Sequence, residues 1–139
     1  MSFLLDTNVV SEWVKPRPDE GVVKWLAEAD EDRIFLSVIT LSELRYGIER
    51  MPIGARRRRL ESWLSHDLPV RFQGRLLPVD AAIADASGRL VARGDERGQP
   101  LGAMDSLLGA TAQCHTMTLV TRNVSDFEQL GLTIINPWT

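Results

Sequence analysis

Four carboxylates are notable for where they fall in the sequence: Asp6, Glu43, Asp105 and Asp126. Asp6 closes the apolar run Phe3-Leu4-Leu5. Glu43 lies shortly after the run ending at Leu36, and Asp126 comes a few polar residues after Thr118-Leu119-Val120. Asp105 sits in a small-residue segment, Gly102 to Ala112, beside Met104, Leu107 and Leu108. A carboxylate in such apolar company costs several kcal/mol unless it is paired, hydrogen-bonded or bound to a cation. Acids gathered without cations would repel one another and take up protons. Hard divalent ions resolve that conflict. Mg²⁺ and Mn²⁺ prefer oxygen ligands, so carboxylates without His or Cys point to them rather than to zinc. Such ions lower the pKa of a bound water, aim it in line with a phosphodiester and stabilise the leaving oxyanion; where two are used they sit roughly 3.5–4 Å apart. The reaction class that follows is metal-assisted phosphodiester hydrolysis.

Each acid also has a structural reading. Asp6 suits an N-cap of a helix that Thr7 and Asn8 can begin and that runs through Val9 to Val14, and the two readings weigh about equally on local sequence. Thr40-Leu41-Ser42-Glu43 fits the Ser/Thr-x-x-Glu capping box, which would put Glu43 on a first helical turn. Asp105 could be an N-cap, and Asp126 could cap a brief turn ending at Gly131.

The elements that must position these groups alternate. Phe3–Leu5, Arg33–Leu36, Arg75–Val79, Thr118–Val120 and Thr133–Ile135 read as short strands. Between them, Asp19 caps a helix with Val22, Val23, Trp25, Leu26 and Ala29 on its buried side, and Asp80 caps one carrying Ile83, Ala86, Leu90 and Val91. The stretch from Pro52 to Pro69 is a charged helix. Its run Arg56-Arg57-Arg58-Arg59 points all round the axis and favours a solvated face over a phosphate-binding patch. Asp85 reads as surface. The alternation predicts an α/β three-layer sandwich, a mainly parallel central sheet with helices on both faces. If Leu5 ends a central strand, Asp6 stands where such sheets bind ligands, beyond the carboxyl ends of the strands.

Composition excludes several alternatives. At 139 residues, 44% apolar and 25% charged, the chain suits one soluble domain spanning residues 1–139. One cysteine, Cys114, rules out an internal disulfide, and His66 and His115 are too few and too far apart for a Cys/His zinc site. No signal-like leader or membrane-length apolar run is present, so a cytoplasmic location is expected. A net charge of -3 argues against simple electrostatic coating of nucleic acid, but not against a nucleic-acid substrate reached through bound metal. Neither Gly-x-Gly-x-x-Gly, a P-loop nor Gly-x-Ser-x-Gly occurs.

Four blocks in order carry a family resemblance: Leu5-Asp6-Thr7-Asn8-Val9-Val10-Ser11-Glu12; Leu36-Ser37-Val38-Ile39-Thr40-Leu41-Ser42-Glu43-Leu44-Arg45-Tyr46-Gly47; Asp105 in its small-residue helix; and Thr121-Arg122-Asn123 with Asp126-Phe127. Together with the closing Asn136-Pro137-Trp138, they resemble PIN-domain ribonucleases, and within these the VapC toxins of type II toxin–antitoxin systems, FitB-like branch. The resemblance runs nearly end to end. It implies an endoribonuclease that binds Mg²⁺ or Mn²⁺, is silenced by a small cognate antitoxin, dimerises within a larger toxin–antitoxin assembly, and meets promoter DNA only through the antitoxin. Carried over, it makes Asp6 and Asp105 principal metal ligands and has Glu43 complete the acidic pocket. Some relatives place the fourth carboxylate where this chain has Asn123 and others at Asp126, so Asp126 is named here. Asn8, Thr121 and Asn123 would support ligands or water. The helices around Arg56 and Trp63 fall where the family often clamps its antitoxin. The competing reading is a non-catalytic PIN-like binding module that acts only through an antitoxin or DNA complex.

Overall fold

The computed structural model describes residues 1–139. Five strands, β1 (Phe3–Leu5), β2 (Ile34–Ser37), β3 (Leu76–Leu77), β4 (Thr118–Val120) and β5 (Ile134–Ile135), form one sheet in the order β3-β2-β1-β4-β5. Every pairing is parallel, with Leu4 opposite Phe35 on one side and Leu119 on the other. The chain moves outward from β1 to β3, then returns to lay β4 against the free side of β1. That reversal puts the topological switch point, where such sheets form their ligand crevice, at the carboxyl ends of β1 and β4. The strand expected over Arg75–Val79 shrinks to two residues at the sheet edge, since Pro78 cannot donate to a ladder.

The helices are α1 (Thr7–Glu12), α2 (Glu20–Glu28), α3 (Val38–Glu49), α4 (Ala55–Ser62), α5 (Leu68–Arg71), α6 (Ala81–Glu96), α7 (Ala103–Cys114) and α8 (Val124–Phe127). Strand side chains alternate between two cores. Leu5, Ile34, Leu36 and Val120 point into one, filled by Val9, Val10, Val22, Leu44, Ile48, Leu64, Leu68 and Phe72. Leu4 and Leu119 point into the other, beneath Leu108, Ala112 and Phe127, with Phe35 packed at its margin. Outside it α6 packs on α7, where Ile83, Leu90 and Ala110 form a further cluster. The expected three layers are therefore present. No helix is long and apolar enough to cross a membrane.

Three local readings change. The first helix begins at Thr7, capped directly by Asp6, and ends at Glu12 rather than Val14. The capping box at Thr40 does not form. Ser37 takes that role, its hydroxyl accepting from the Ile39 N–H at 3.0 Å, so α3 starts earlier and Glu43 stands in its second turn. The arginine-rich helix continues through a π-helical turn, Trp63–Asp67, into α5, and buries Leu64 and Leu68. Of its four consecutive arginines, Arg56, Arg58 and Arg59 are exposed, as expected, and Arg57 is the exception. Arg57 reaches Glu49 at 2.6 Å, Glu61 at 2.7 Å and the Met51 carbonyl at 3.1 Å, tying α4 to the end of α3.

One carboxylate outside the candidate set is buried for structural reasons. Glu12 Oε1 accepts the Asp19 N–H at 3.0 Å, while Oε2, which has no well-angled hydrogen bond, relies on Lys15 Nζ at 2.5 Å. Burial pushes its carboxyl up, but the Lys15 contact and the Asp19 amide outweigh that and hold it below the usual range. Glu12 therefore fastens the Pro16–Pro18 connection between α1 and α2. Removing it strands the Asp19 amide, and Glu12→Ala is expected to lower stability by about 1–3 kcal/mol in urea unfolding. A loss within the roughly 0.5 kcal/mol typical of surface changes would refute this role.

Candidate active site

The crevice at the switch point is built from backbone pairing outward. Extending the β1–β4 ladder, the Asp6 N–H donates to the Val120 carbonyl at 2.9 Å, which fixes Asp6 beside Thr121. The Asp6 carboxylate is then held from three directions. Oδ1 accepts the Thr7 N–H at 2.7 Å, and Oδ2 accepts the Thr121 hydroxyl at 2.7 Å and Asn8 Nδ2 at 3.3 Å. Asp6 is thus a cap and a crevice residue at once, so the two sequence readings were not exclusive. The Thr121–Asp6 bond joins residues 115 positions apart and is buried.

Glu43 reaches the same place from α3. Its Oε1 accepts the Thr7 hydroxyl at 2.7 Å, and that hydroxyl also lies 3.3 Å from the buried Thr40 hydroxyl. Thr7 therefore links the carboxylates after β1 and β2, a role not assigned from the sequence. The signal available was its position, the first helical residue after a strand-end aspartate. The helix period completes the arrangement, since Thr40 and Glu43 are three apart and share a face of α3.

Asp105 is the third residue of α7, whose N-cap is Gly102, so the N-cap reading of Asp105 does not hold. Its placement depends on close packing of α7. The Ser106 hydroxyl pairs with Ser87 of α6 at 2.7 Å, and a Cβ on Gly109 would stand 2.7 Å from Leu130 Cδ1. Asp126 projects from α8, which Asn123 rather than Asp126 precedes as the cap residue. Asn123 meets the cluster only through its backbone, its N–H donating to the Thr121 hydroxyl at 3.0 Å. Asn8 Oδ1 accepts the Arg122 N–H at 3.4 Å, closing the loop after β4 over the crevice.

The electrostatics register the convergence. The Asp105 carboxyl is pushed up to about 6, first by burial and then by the negative charges of Asp6, Asp126 and Glu43. For Asp6, burial also dominates and raises its pKa despite the bonds from Thr121, Thr7 and Asn8, with the Asp126 charge adding to the effect. All four acids thus share one electrostatic neighbourhood, fed by β1, α3, α7 and α8. No three of them stand at metal-ligating separation as they are. Mutual repulsion spreads like charges, and a Mg²⁺-type ion that keeps several waters can bridge a cluster its carboxylates do not cage directly. As a donor set the group is all oxygen, which suits hard divalent cations and excludes a thiolate or imidazole site.

Comparison with known proteins agrees with this geometry. The chain is 38% identical over 136 residues to the VapC ribonuclease Y4jK of Sinorhizobium fredii, spanning 98% of this chain and 97% of that one. It is 35% identical to toxin FitB of Neisseria gonorrhoeae, spanning 98% of each. Among solved structures, a FitAB complex bound to an IR36 DNA fragment contains a chain that superposes with a TM-score of 0.92 at 34% identity, covering 99% of this chain and 96% of that chain. The PIN domain family profile matches residues 3–131. With five parallel strands, a switch-point aspartate and that match across most of its length, the chain belongs to the PIN-domain family.

Proposed function

We propose that this chain is a Mg²⁺- or Mn²⁺-dependent endoribonuclease, the toxin of a type II toxin–antitoxin module, built as one domain and acting in the cytoplasm. Its partners in this reading are a cognate antitoxin that silences it, a second copy of itself within a larger assembly, and promoter DNA met only through the antitoxin. The names of its relatives, a ribonuclease and a toxin, support the activity class. The observation that carries the reading is the convergence of Asp6, Glu43, Asp105 and Asp126, with the Asp105 carboxyl lifted to about 6 first by its burial and then by the charges of the other three. A structural acid cluster would be neutralised by partners, as Glu12 is by Lys15. Asp105 has burial and three negative neighbours instead. A vestigial binding module has no use for that cost.

In this mechanism Asp6 and Asp105 are the principal ligands, with Glu43 and Asp126 completing the pocket. A cation held there would supply a water of lowered pKa and charge stabilisation for the leaving oxyanion of the phosphodiester. The protein's own work is positioning. Thr121 and the Thr7 amide fix both oxygens of Asp6, and the Thr7 hydroxyl fixes one oxygen of Glu43, leaving the other free to hold a cation or a water. Asn8 braces Asp6 and the loop after β4 together.

Asp6→Asn and Asp105→Asn are each expected to abolish magnesium-dependent cleavage of RNA by the purified chain and to relieve growth arrest on expression. Wild-type cleavage by either folded variant would refute the assignment. Thr121→Val should leave all four acids in place yet weaken divalent-ion affinity about 10–100-fold by calorimetric titration; unchanged affinity would remove Thr121 from the site.

The raised Asp105 pKa also sets the sign of a pH effect. With its folded value near 6 and its unfolded value at 3.8, Asp105 contributes stability that is complete below 3.8 and lost as pH rises through 6. In chelator, the metal-free chain should therefore melt at a higher temperature at about pH 4 than above pH 7. Asp105→Asn should shrink that difference, and an equal difference in wild type and variant would contradict the raised Asp105 pKa.

A further inference from the structure

The acidic crevice does not end at the four carboxylates. Asp105 and Asp126 form one end of a groove of about 430 Å³ that runs along the carboxyl-terminal half of α6, with Arg93 and Arg97 among its walls. The groove is a built feature. The chain after α6 folds back so that the Gln99 N–H donates to the Gly94 carbonyl at 2.8 Å, and a Cβ on Gly94 would stand only 2.6 Å from the Gln99 oxygen. Gly98, at φ +67°, makes that reversal. Glycine at 94 thus lets the Gln99–Gly102 loop close against α6 as a wall.

What sets its two arginines apart is their place beside Asp105 and Asp126, since several other arginines of the chain, such as Arg17 and Arg58, also lack a carboxylate partner. Arg33, Arg45, Arg57, Arg71 and Arg89 each pair with a carboxylate. Arg93 and Arg97 pair with none; Arg97 Nη1 donates only to the Gln129 carbonyl, at 3.3 Å. Both are exposed; Arg93 is in the last turn of α6 and Arg97 is its C-cap residue, four positions on and so about 6 Å along the axis. That interval is comparable to the step between successive phosphates of an extended single strand. Glu128 lines the groove as well, so an anionic backbone is confined to the α6 side.

We propose that Arg93 and Arg97 form a phosphate-binding track for the RNA strand beside the scissile bond, leading the substrate to Asp105 and Asp126. This deepens the ribonuclease reading and rests on it. A strand crossing the site meets carboxylates, and hence cation-mediated contact, at one point and free guanidiniums at the next. The net charge of -3 matters less in this reading, because the contact asked of the protein is with two neighbouring guanidiniums, in a groove whose other charged residues are Asp105, Asp126 and Glu128. The two residues position substrate and touch no reacting atom.

The test compares the parent chain with Arg93→Ala/Arg97→Ala and with a remote control of equal charge loss, Arg17→Ala/Arg33→Ala. Binding of a fluorescein-labelled single-stranded RNA is followed by anisotropy in Ca²⁺ buffer across a salt series, and cleavage kinetics are measured in Mg²⁺. Each phosphate contact on a single strand contributes about 0.7 to the slope of log K against log salt, so the groove variant should lose about 1.4. Its KM should rise about tenfold with kcat nearly unchanged, while the control matches the parent. Arg93→Lys/Arg97→Lys should recover most of the slope, since point charges suffice for phosphate. An unchanged slope and KM in the groove variant, or an equal loss in the control, would overturn the track. If the parent cleaves RNA and the groove variant is indistinguishable from it, only the track fails. If the parent neither binds nor cleaves, the ribonuclease reading fails with it.

Discussion

Everything in this molecule that concerns function depends on a repulsion the fold must hold in check. Four carboxylates share one electrostatic neighbourhood, and the pKa of Asp105, lifted to about 6 by burial first and by the charges of Asp6, Asp126 and Glu43 next, registers the cost of holding charge there. The opposing force is not local. It comes from β1 being clasped on both sides by parallel partners, so that Asp6 cannot leave Val120 and Thr121 without breaking the centre of the sheet. Leu4, Leu5, Leu119 and Val120 are completely buried, and the apolar area they withdraw from water anchors the charged rim just beyond them.

That division of labour explains the small hydroxyl residues around the site. Thr7 and Thr121 add no charge, yet their hydroxyls decide where the lone pairs of Glu43 and Asp6 are satisfied. Arginine or lysine there would neutralise the acids outright and leave nothing for a cation to do. The cations of the chain are used elsewhere, as struts between helices, in the manner of Arg57, or left free along α6. Under the proposals above, the acids and the α6 arginines would stay adjacent without cancelling.

Much of this was legible in the residues. Strand-length apolar runs marked β1, β2 and β4, and strand-end acids marked the crevice, because burial and parallel pairing leave so few places for a charge. The fourfold Asp/Glu set was found from the same logic and from the ordered motif blocks. What local sequence could not settle was decided over distance. Ser37 rather than Thr40 capped α3 because the strand before it runs directly into the helix, which moved Glu43 a turn inward. The Thr7–Glu43 and Thr121–Asp6 bonds span 36 and 115 residues, beyond any local pattern. The groove beside Arg93 and Arg97 depends on a loop closing at Gly94, which reads in sequence only as a helix end.

The claim most exposed to direct test is that the four acids jointly hold a divalent ion. Crystals grown with Mn²⁺ and measured at the manganese absorption edge would decide it. The account predicts an anomalous peak among the carboxylates of Asp6, Glu43, Asp105 and Asp126, with waters completing an octahedral shell. Anomalous density only elsewhere on the molecule, in crystals holding ample Mn²⁺, would contradict it.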